Sequence, residues 1–208
     1  MTARLPIIVG VGQTINRPTT LGEACEPIEL MHRAVAAAGA DSRNDSLLRR
    51  AELVMAVGGV WRYPDPARLV ADRIGASNAS TMLTYFGGNS PQAAVAAAAK
   101  RIAAGAADVV IVCGAEAQYS KKLIRAAGEQ PSYTFPADQT PAERFGGDLD
   151  MAFEPERSRE VDAPISVYPV FGSAIRHDRG ESIGQQRDAI ATLWEGYNLV
   201  ARTNPYAW

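Results

Sequence analysis

The sequence predicts an α/β fold, a mixed and mainly parallel sheet covered by helices, and three observations carry that expectation. Apolar runs of strand length recur without polar alternation, as strands buried on both faces require. Each run ends at glycine or gives way to a segment of helical periodicity. The alternation persists to Ala117 and then stops, so the residues beyond it read as an appended segment of different character.

The first run, LPIIVGVGQT (Leu5 to Thr14), predicts a buried strand. EPIELMHRAVAAAG follows as a helix, with Pro27 in its first turn, Gly39 just past its end, and Ile28, Met31, Val35 and Ala38 on one face. AELVMAVGGV (Ala51 to Val60) is a second strand. In DPARLVADRIG, Asp65 is the expected N-cap, Pro66 the first helical residue and Gly75 the residue that ends the helix. STMLTYF (Ser80 to Phe86) gives a third strand, and Ser90-Pro91 opens an alanine-rich helix that stops at Gly105. ADVVIVCGAE (Ala107 to Glu116) is the fourth strand, expected at the buried centre of the sheet because Val109 to Cys113 is apolar throughout.

Beyond Ala117, SKKLIRAAG predicts a brief helix, and Pro131 to Pro169 is rich in Pro, Gly, Asp and aromatic residues. Two further helices are expected over Phe171 to His177 and Ile183 to Val200, and the chain closes on NPYAW. The division this suggests is an α/β domain over residues 1–119 and an irregular, partly helical cap over 120–208, with no further sheet in the cap.

Composition excludes several kinds of function. A net charge of −2 without clusters of Lys and Arg argues against a nucleic-acid surface. No apolar stretch approaches the length of a membrane span, and the run after Met1 is too short for the apolar core of a signal peptide. Cys25 and Cys113 are isolated and match no metal spacing, so the expectation is no metal and reduced thiols in a cytoplasmic setting.

The chemistry concentrates at Gly87-Gly88-Asn89-Ser90, between the third strand and the alanine-rich helix. A helix N-terminus offers unpaired N–H groups and partial positive charge to an anion or a developing oxyanion. Gly87 and Gly88 let a ligand approach the backbone without a Cβ in the way. In open parallel sheets ligands bind at the carboxyl ends of strands, where this turn lies. Ser90, followed by proline, reads first as an N-cap and second as a nucleophile. Asn89 fits either an oxyanion donor or a turn residue. Elsewhere the chemical signals are weak. GVGQT lacks the third glycine of a dinucleotide fingerprint. His32 and His177 read as structural or solvated, Cys113 as a small core residue, and Cys25 has no base beside it in sequence.

Four stretches resemble the N-terminal half of the thiolase superfamily: PIIVGVGQTINRP, ELVMAVGG, GGNSPQAAVAAAAKRIAAGAADVVIVCGAEA and NLVARTNPYAW. The third is the most specific, and aligning Gln92 and Glu116 with the family pattern puts Gly87 at the position of the nucleophilic cysteine. The sequence is most similar to the thiolase-like, lipid-transfer-protein type of lipid and sterol metabolism, often labelled acetyl-CoA acetyltransferase, in which that cysteine is missing. The resemblance implies a coenzyme A thioester as substrate, no separate cofactor, and Gly88 beside the bound acyl-CoA. It also implies dimers and a second, similar half with a His-containing loop and another cysteine, neither of which this chain matches. The expectation is therefore a fragment or one piece of a split protein, completed by a C-terminal thiolase half or a partner chain.

Gly87 cannot form an acyl-enzyme. Three readings follow: an acyltransferase relative without thiolysis, a non-catalytic half that binds a partner or holds acyl-CoA, and a retro-aldolase of a CoA thioester once completed by its second half.

Overall fold

The computed structural model of the protein describes residues 4–44, 46–138, 142–147, 150 and 152–207. Trp208, the last residue of the NPYAW ending, lies outside the described residues. The chain forms two compact units, Met1–Asp148 and Leu149–Trp208. The βα alternation fades near residue 120, but the compact first unit runs on to 148.

In the first unit a single 3-10 turn (Leu21–Glu23) precedes α1 (Pro27–Asp41), α2 (Ser46–Arg49), β1 (Leu53–Ala56), α3 (Pro66–Arg73), β2 (Ser80–Thr84), α4 (Ser90–Ala103), β3 (Val110–Cys113), α5 (Gln118–Ala126) and β4 (Glu143–Phe145). The sheet order is β3-β1-β2-β4. Every pairing is parallel, with Val54 opposite Thr81 on one side and Ile111 on the other. β1 is buried at all four positions, and successive side chains serve opposite faces. Val54 and Ala56 join Ile28, Met31, Val35, Val70 and Leu83 in the larger core beneath α1 and α3. Leu53 and Met55 join Met82, Ala94 and Ala98 in the smaller core beneath α4. The helix α3 signals hold: the Asp65 carboxylate accepts the Arg68 N–H at 2.8 Å and the Thr81 hydroxyl at 2.5 Å, and Gly75 has φ +76°.

Four expectations are corrected. Leu5 to Thr14 is not a strand and its side chains are not buried: Leu5, Ile7, Ile8, Val9 and Val11 are between 52% and 80% exposed. The glycines lay this segment against a helix instead of a strand. A Cβ at Gly10 would stand 2.2 Å from the Ala38 carbonyl oxygen, and one at Gly12 would stand 2.0 Å from that of Ala34. Val11 N–H donates to the Asp41 carboxylate at 2.9 Å, so it joins no ladder.

As a result β3 is an edge strand, not the central one, and three of its four residues are only half-buried. The third correction is Gly39, which lies inside α1, two residues before its end. Leu48 packs so closely there that a Cβ would come within 2.6 Å of its Cδ1. Fourth, β4 extends the sheet past residue 120, pairing with β2 through backbone groups that need no apolar pattern.

The second unit contains α6 (Glu154–Arg157), α7 (Pro164–Asp178) and α8 (Ile183–Ala201). α7 starts earlier than expected because Pro164 opens it, and Pro169 sits within its first turns. Ser182 and Gln185 form a capping box at the start of α8, with mutual hydrogen bonds of 2.8 and 3.2 Å. No residue of α7 or α8 is buried.

Candidate functional site

The carboxyl ends of β1 and β2 are locked together before the turn begins. Gly58 N–H donates to the Thr84 hydroxyl at 2.9 Å, and that hydroxyl donates to the Tyr85 carbonyl at 3.0 Å. The Ser90 hydroxyl donates to the same carbonyl at 2.7 Å. Thr84 and Ser90 are both buried, so one carbonyl oxygen collects two interior donors and ties β2 to the start of α4. Gly58 has to be glycine, because a Cβ there would lie 2.6 Å from the Thr84 carbonyl oxygen.

This network changes the reading of Ser90. It is the first residue of α4, with Asn89 at the N-cap position, and its hydroxyl donates to a carbonyl instead of accepting a helix N–H. The Asn89 side chain makes no cap bond. The physical reason is the approach of the Tyr85 carbonyl, which engages the hydroxyl before any amide of the helix can. With its proton engaged and its side chain buried, Ser90 acts as a brace.

The turn itself is open. Ser90 N–H closes on the Gly87 carbonyl at 3.1 Å. The N–H groups of Gly87, Gly88 and Asn89 have no acceptor among the described residues. They precede the N-terminus of α4, whose dipole adds partial positive charge. A Cβ added at Gly88 would meet no atom within 4 Å, and the φ of this residue is not in the left-handed region. At Gly87 a Cβ would meet the Asn89 Oδ1 at 2.9 Å and the Ser90 hydroxyl at 3.5 Å, so only the Asn89 side chain would have to move. The arrangement can donate hydrogen bonds to an oxyanion or carbonyl and offers no side-chain nucleophile in line.

Two cavities of the first unit bear on the site. One, of about 430 Å³, lies at the ends of β1 and β2 and reaches the turn through Phe86. Its shape depends on the loop after β1. Val60 N–H donates to the Glu116 carboxylate at 2.6 Å, and the Trp61 indole N–H donates to the Ala115 carbonyl at 2.9 Å. Gly59 is wedged between these groups, where a Cβ would lie 2.4 Å from Glu116 Oε1. Glu116, three residues past the end of β3, is thus a loop anchor. The other cavity, of about 400 Å³, lies between the start of α1 and α5 and is lined by Cys25, Glu26 and Lys121 among others.

The remaining titratable candidates fall away from the turn. Burial pushes the Cys113 thiol up to about 12, as expected of a small core residue. Cys25 is half-buried, its thiol 3.6 Å from the Glu23 carbonyl. His32 is half-buried in α1 and His177 is exposed in the last turn of α7. Burial, then a 2.8 Å hydrogen bond to Glu26, raises the Tyr63 hydroxyl well above its ordinary value. Among the described residues no three His, Cys, Asp or Glu side chains converge as metal ligands, and no helix is long and apolar enough to cross a membrane.

Sequence reasoning missed Thr84, Arg62, Arg144, Phe86 and Phe135. The run WRYPDP after β1 carried a signal for Arg62, in a loop at a strand's carboxyl end, whereas Arg144 lies on a strand with no pattern to mark it.

No protein-family model matches the chain, and no curated protein matches it. Among solved structures it is similar to a monomeric SCP2-thiolase like protein type 1 from Mycobacterium smegmatis, with 27% identity and a TM-score of 0.70. The similarity covers 99% of this chain and 37% of that one. The fold is thiolase-like, and the chain spans little more than a third of that protein's length.

Proposed function

We propose that the chain is the acyl-CoA-handling half of a thiolase-like protein of lipid or sterol metabolism, and that its turn receives a thioester without forming a covalent acyl-enzyme. The observation that carries this reading is the set of N–H groups at Gly87, Gly88 and Asn89, at the exit of β2, that have no acceptor among the described residues. Donors fixed in advance stabilise a thioester oxygen as it gains negative charge, and they need no covalent step to do so. Gly87 has no side chain to acylate, and the Ser90 hydroxyl is committed to Tyr85. Turnover, as a retro-aldol cleavage or an acyl transfer, would take its base from a completing half.

A second observation favours partner binding alongside ligand binding. Ile165, Tyr168, Leu193, Trp194 and Tyr197 on α7 and α8 are each at least half exposed. Large apolar side chains grouped on two helices suit burial against another chain or half. A homo-oligomer would serve as well, and sedimentation separates the two. The two unpaired cysteines are consistent with a cytoplasmic setting.

Calorimetry with acetyl-CoA and a longer acyl-CoA, on the full chain and on Gly88→Val, tests the ligand reading. The open space and unstrained φ at Gly88 predict an intact fold for the variant, while the added bulk should weaken binding. Equal binding by Gly88→Val, with an unchanged circular dichroism spectrum, sinks the role of the turn.

A further inference from the structure

The cavity of about 400 Å³ between the start of α1 and α5 holds a nucleophile that the turn does not use. Cys25 lines it and is half-buried, with its sulfur 3.6 Å from the Glu23 carbonyl. Asn16 fixes the backbone here. Its Oδ1 accepts the Cys25 N–H at 3.2 Å and the Ser120 hydroxyl at 3.1 Å, and Ser120, on α5, is buried. The Asn16 amide group donates to the Glu23 carbonyl at 3.1 Å. One side chain thus ties the segment before α1 to α5 and holds the thiol at the cavity wall.

The sequence puts no basic residue next to Cys25, but α1 brings one. Glu29 and Arg33 lie one above the other on this helix, and helical side chains lean toward the N-terminus. Arg33 Nε donates to the Glu29 carboxylate at 2.8 Å, and the guanidinium reaches the Cys25 sulfur. Arg33 is held above its ordinary value by the Glu29 hydrogen bond first and by Cys25 next. Cysteines that take part in thiol–disulfide exchange stand at helix N-termini and beside Arg or Lys. Cys25 meets both conditions, since it immediately precedes Glu26, the N-cap residue of α1. Cys113 meets neither, buried at the end of β3.

The charges on the cavity wall say which reagent fits. Glu26 is occupied by Tyr63 and Thr134, and Glu116 by Val60 and Gln118. Lys121 and Glu129 also line the cavity, and neither side chain has a partner among the described residues. The open charges of the wall are therefore one cation and one anion, which suit a ligand carrying both a carboxylate and an ammonium group. Leu21 and Ile124 supply apolar wall for the carbon and sulfur atoms between those groups. A volume of about 400 Å³ falls within the range of small-molecule sites.

We infer that this cavity binds a small disulfide of the amino-acid type and that Cys25 exchanges with it. Lys121 receives the reagent's carboxylate and Glu129 its ammonium group. The Cys25 thiolate attacks one sulfur of the reagent, and the reagent's S–S bond breaks as the new one forms. The other half leaves as a thiolate and takes up the proton that Cys25 released. Cys25 is oxidised, the departing half is reduced, and no further oxidant is needed. The inference does not depend on the thioester reading of the turn.

The test exposes the full chain to cystine, cystamine and hydroxyethyl disulfide and follows the adduct by intact mass and peptide mapping. Each rate is divided by the rate of the same reagent with a free small thiol, which removes differences in leaving group. The expected product is a single mixed disulfide on Cys25, reversed by dithiothreitol, with Cys113 unmodified. The corrected rates should favour cystine over both other reagents by at least about tenfold, the change that one charge-assisted hydrogen bond represents. Lys121→Gln and Glu129→Gln should each remove most of that preference. Neither side chain has a partner in the described protein, so both variants should keep the fold. Arg33→Gln should slow all three reagents together, and an unchanged rate would overturn the role of the arginine. No adduct on Cys25 in the folded chain would overturn the site. So would equal labelling of Cys113, because the reagents would then be reporting unfolded chain. Cystine reacting no faster than hydroxyethyl disulfide, or keeping its preference in both Lys121→Gln and Glu129→Gln, would overturn recognition by this charge pair.

Discussion

Removing both donors to the Tyr85 carbonyl should cost far more than removing either. Thr84 is 2% exposed and Ser90 is 8% exposed, so water cannot readily replace them. Ser90→Ala deletes a 2.7 Å hydrogen bond but leaves the carbonyl with the Thr84 hydroxyl at 3.0 Å. A loss of about 0.5–1.5 kcal/mol is expected for one such bond. Thr84→Val keeps the side-chain shape, leaves the carbonyl with Ser90, and orphans the Gly58 N–H that donated at 2.9 Å. An unsatisfied buried donor raises that loss to about 1–3 kcal/mol. In the double variant the carbonyl has no donor left among the described residues, and its desolvation penalty, again about 1–3 kcal/mol, enters for the first time.

The double loss should therefore exceed the sum of the single losses by about 1 kcal/mol or more. Urea unfolding measures it, read from Trp61 after Trp194 and Trp208 are replaced by phenylalanine so that the signal reports the first unit. Independent sites add to within about 0.3–0.5 kcal/mol. Additivity within that margin would refute the shared-carbonyl brace. The single Ser90→Ala loss would then have to come from another role of the hydroxyl.

Amide exchange should be slowest at Val54 and Met55 on β1 and clearly faster at Val110 to Val112, because β3 is the edge of the sheet; the reverse order would restore β3 to the centre. In the same measurements, Met55→Ala should lose about 2–5 kcal/mol and Val110→Ala distinctly less. Native Cys113 should resist a thiol reagent that labels it once the protein unfolds in urea. Burial raises its folded value from 9.0 to about 12, so the native state keeps a proton the unfolded chain releases. That contribution is complete below pH 9 and is lost as pH climbs toward 12, which urea midpoints across this range would track. Gly87→Cys should fold, with Asn89 turning aside, and place a thiol at the start of α4. Helix N-termini favour thiolates, so iodoacetamide should alkylate it well below the ordinary thiol pH range, with Cys25 replaced by alanine as background. The unaltered chain incubated with acetyl-CoA should gain no acetyl mass, and an adduct on Ser90 would overturn its structural role.

What could be read from the sequence was local. Asp65, Pro66 and Gly75 set the limits of α3 because a cap, a fixed φ and a left-handed glycine act within a few residues of themselves. The position of the turn at the exit of β2 followed from the same grammar. The role of Ser90 did not, because a hydroxyl in a Ser-Pro pair can accept from the helix or donate backward, and the deciding neighbour is the Tyr85 carbonyl. The cavity at the ends of β1 and β2 was less accessible still. It assembles Arg62, Phe86, Phe135 and Arg144 from four separated segments, and no spacing in the sequence encodes that meeting.

Two exposed apolar segments have a common physical cause. Leu5 to Val11 is apolar enough for an interior strand, and α7 and α8 carry the aromatic and aliphatic residues of packed helices. Yet Ile8 is 76% exposed and Trp194 is 65% exposed. Periodicity reports how much burial a sequence is suited to, but only the rest of the assembly can supply that burial. β3 shows the same mismatch, with both faces apolar and one edge unpaired. An unpaired edge beside exposed apolar chain is a surface on which further structure gains both hydrogen bonds and buried area. The similar Mycobacterium smegmatis protein extends well beyond the 37% that this chain matches. The apolar excess of these segments is what a half would carry if its completing half covered them. Adding that half in trans should then protect Leu5 to Val11 and the amides of β3 from exchange together. Protection of α7 and α8 alone would mean that the N-terminal segment serves some other contact.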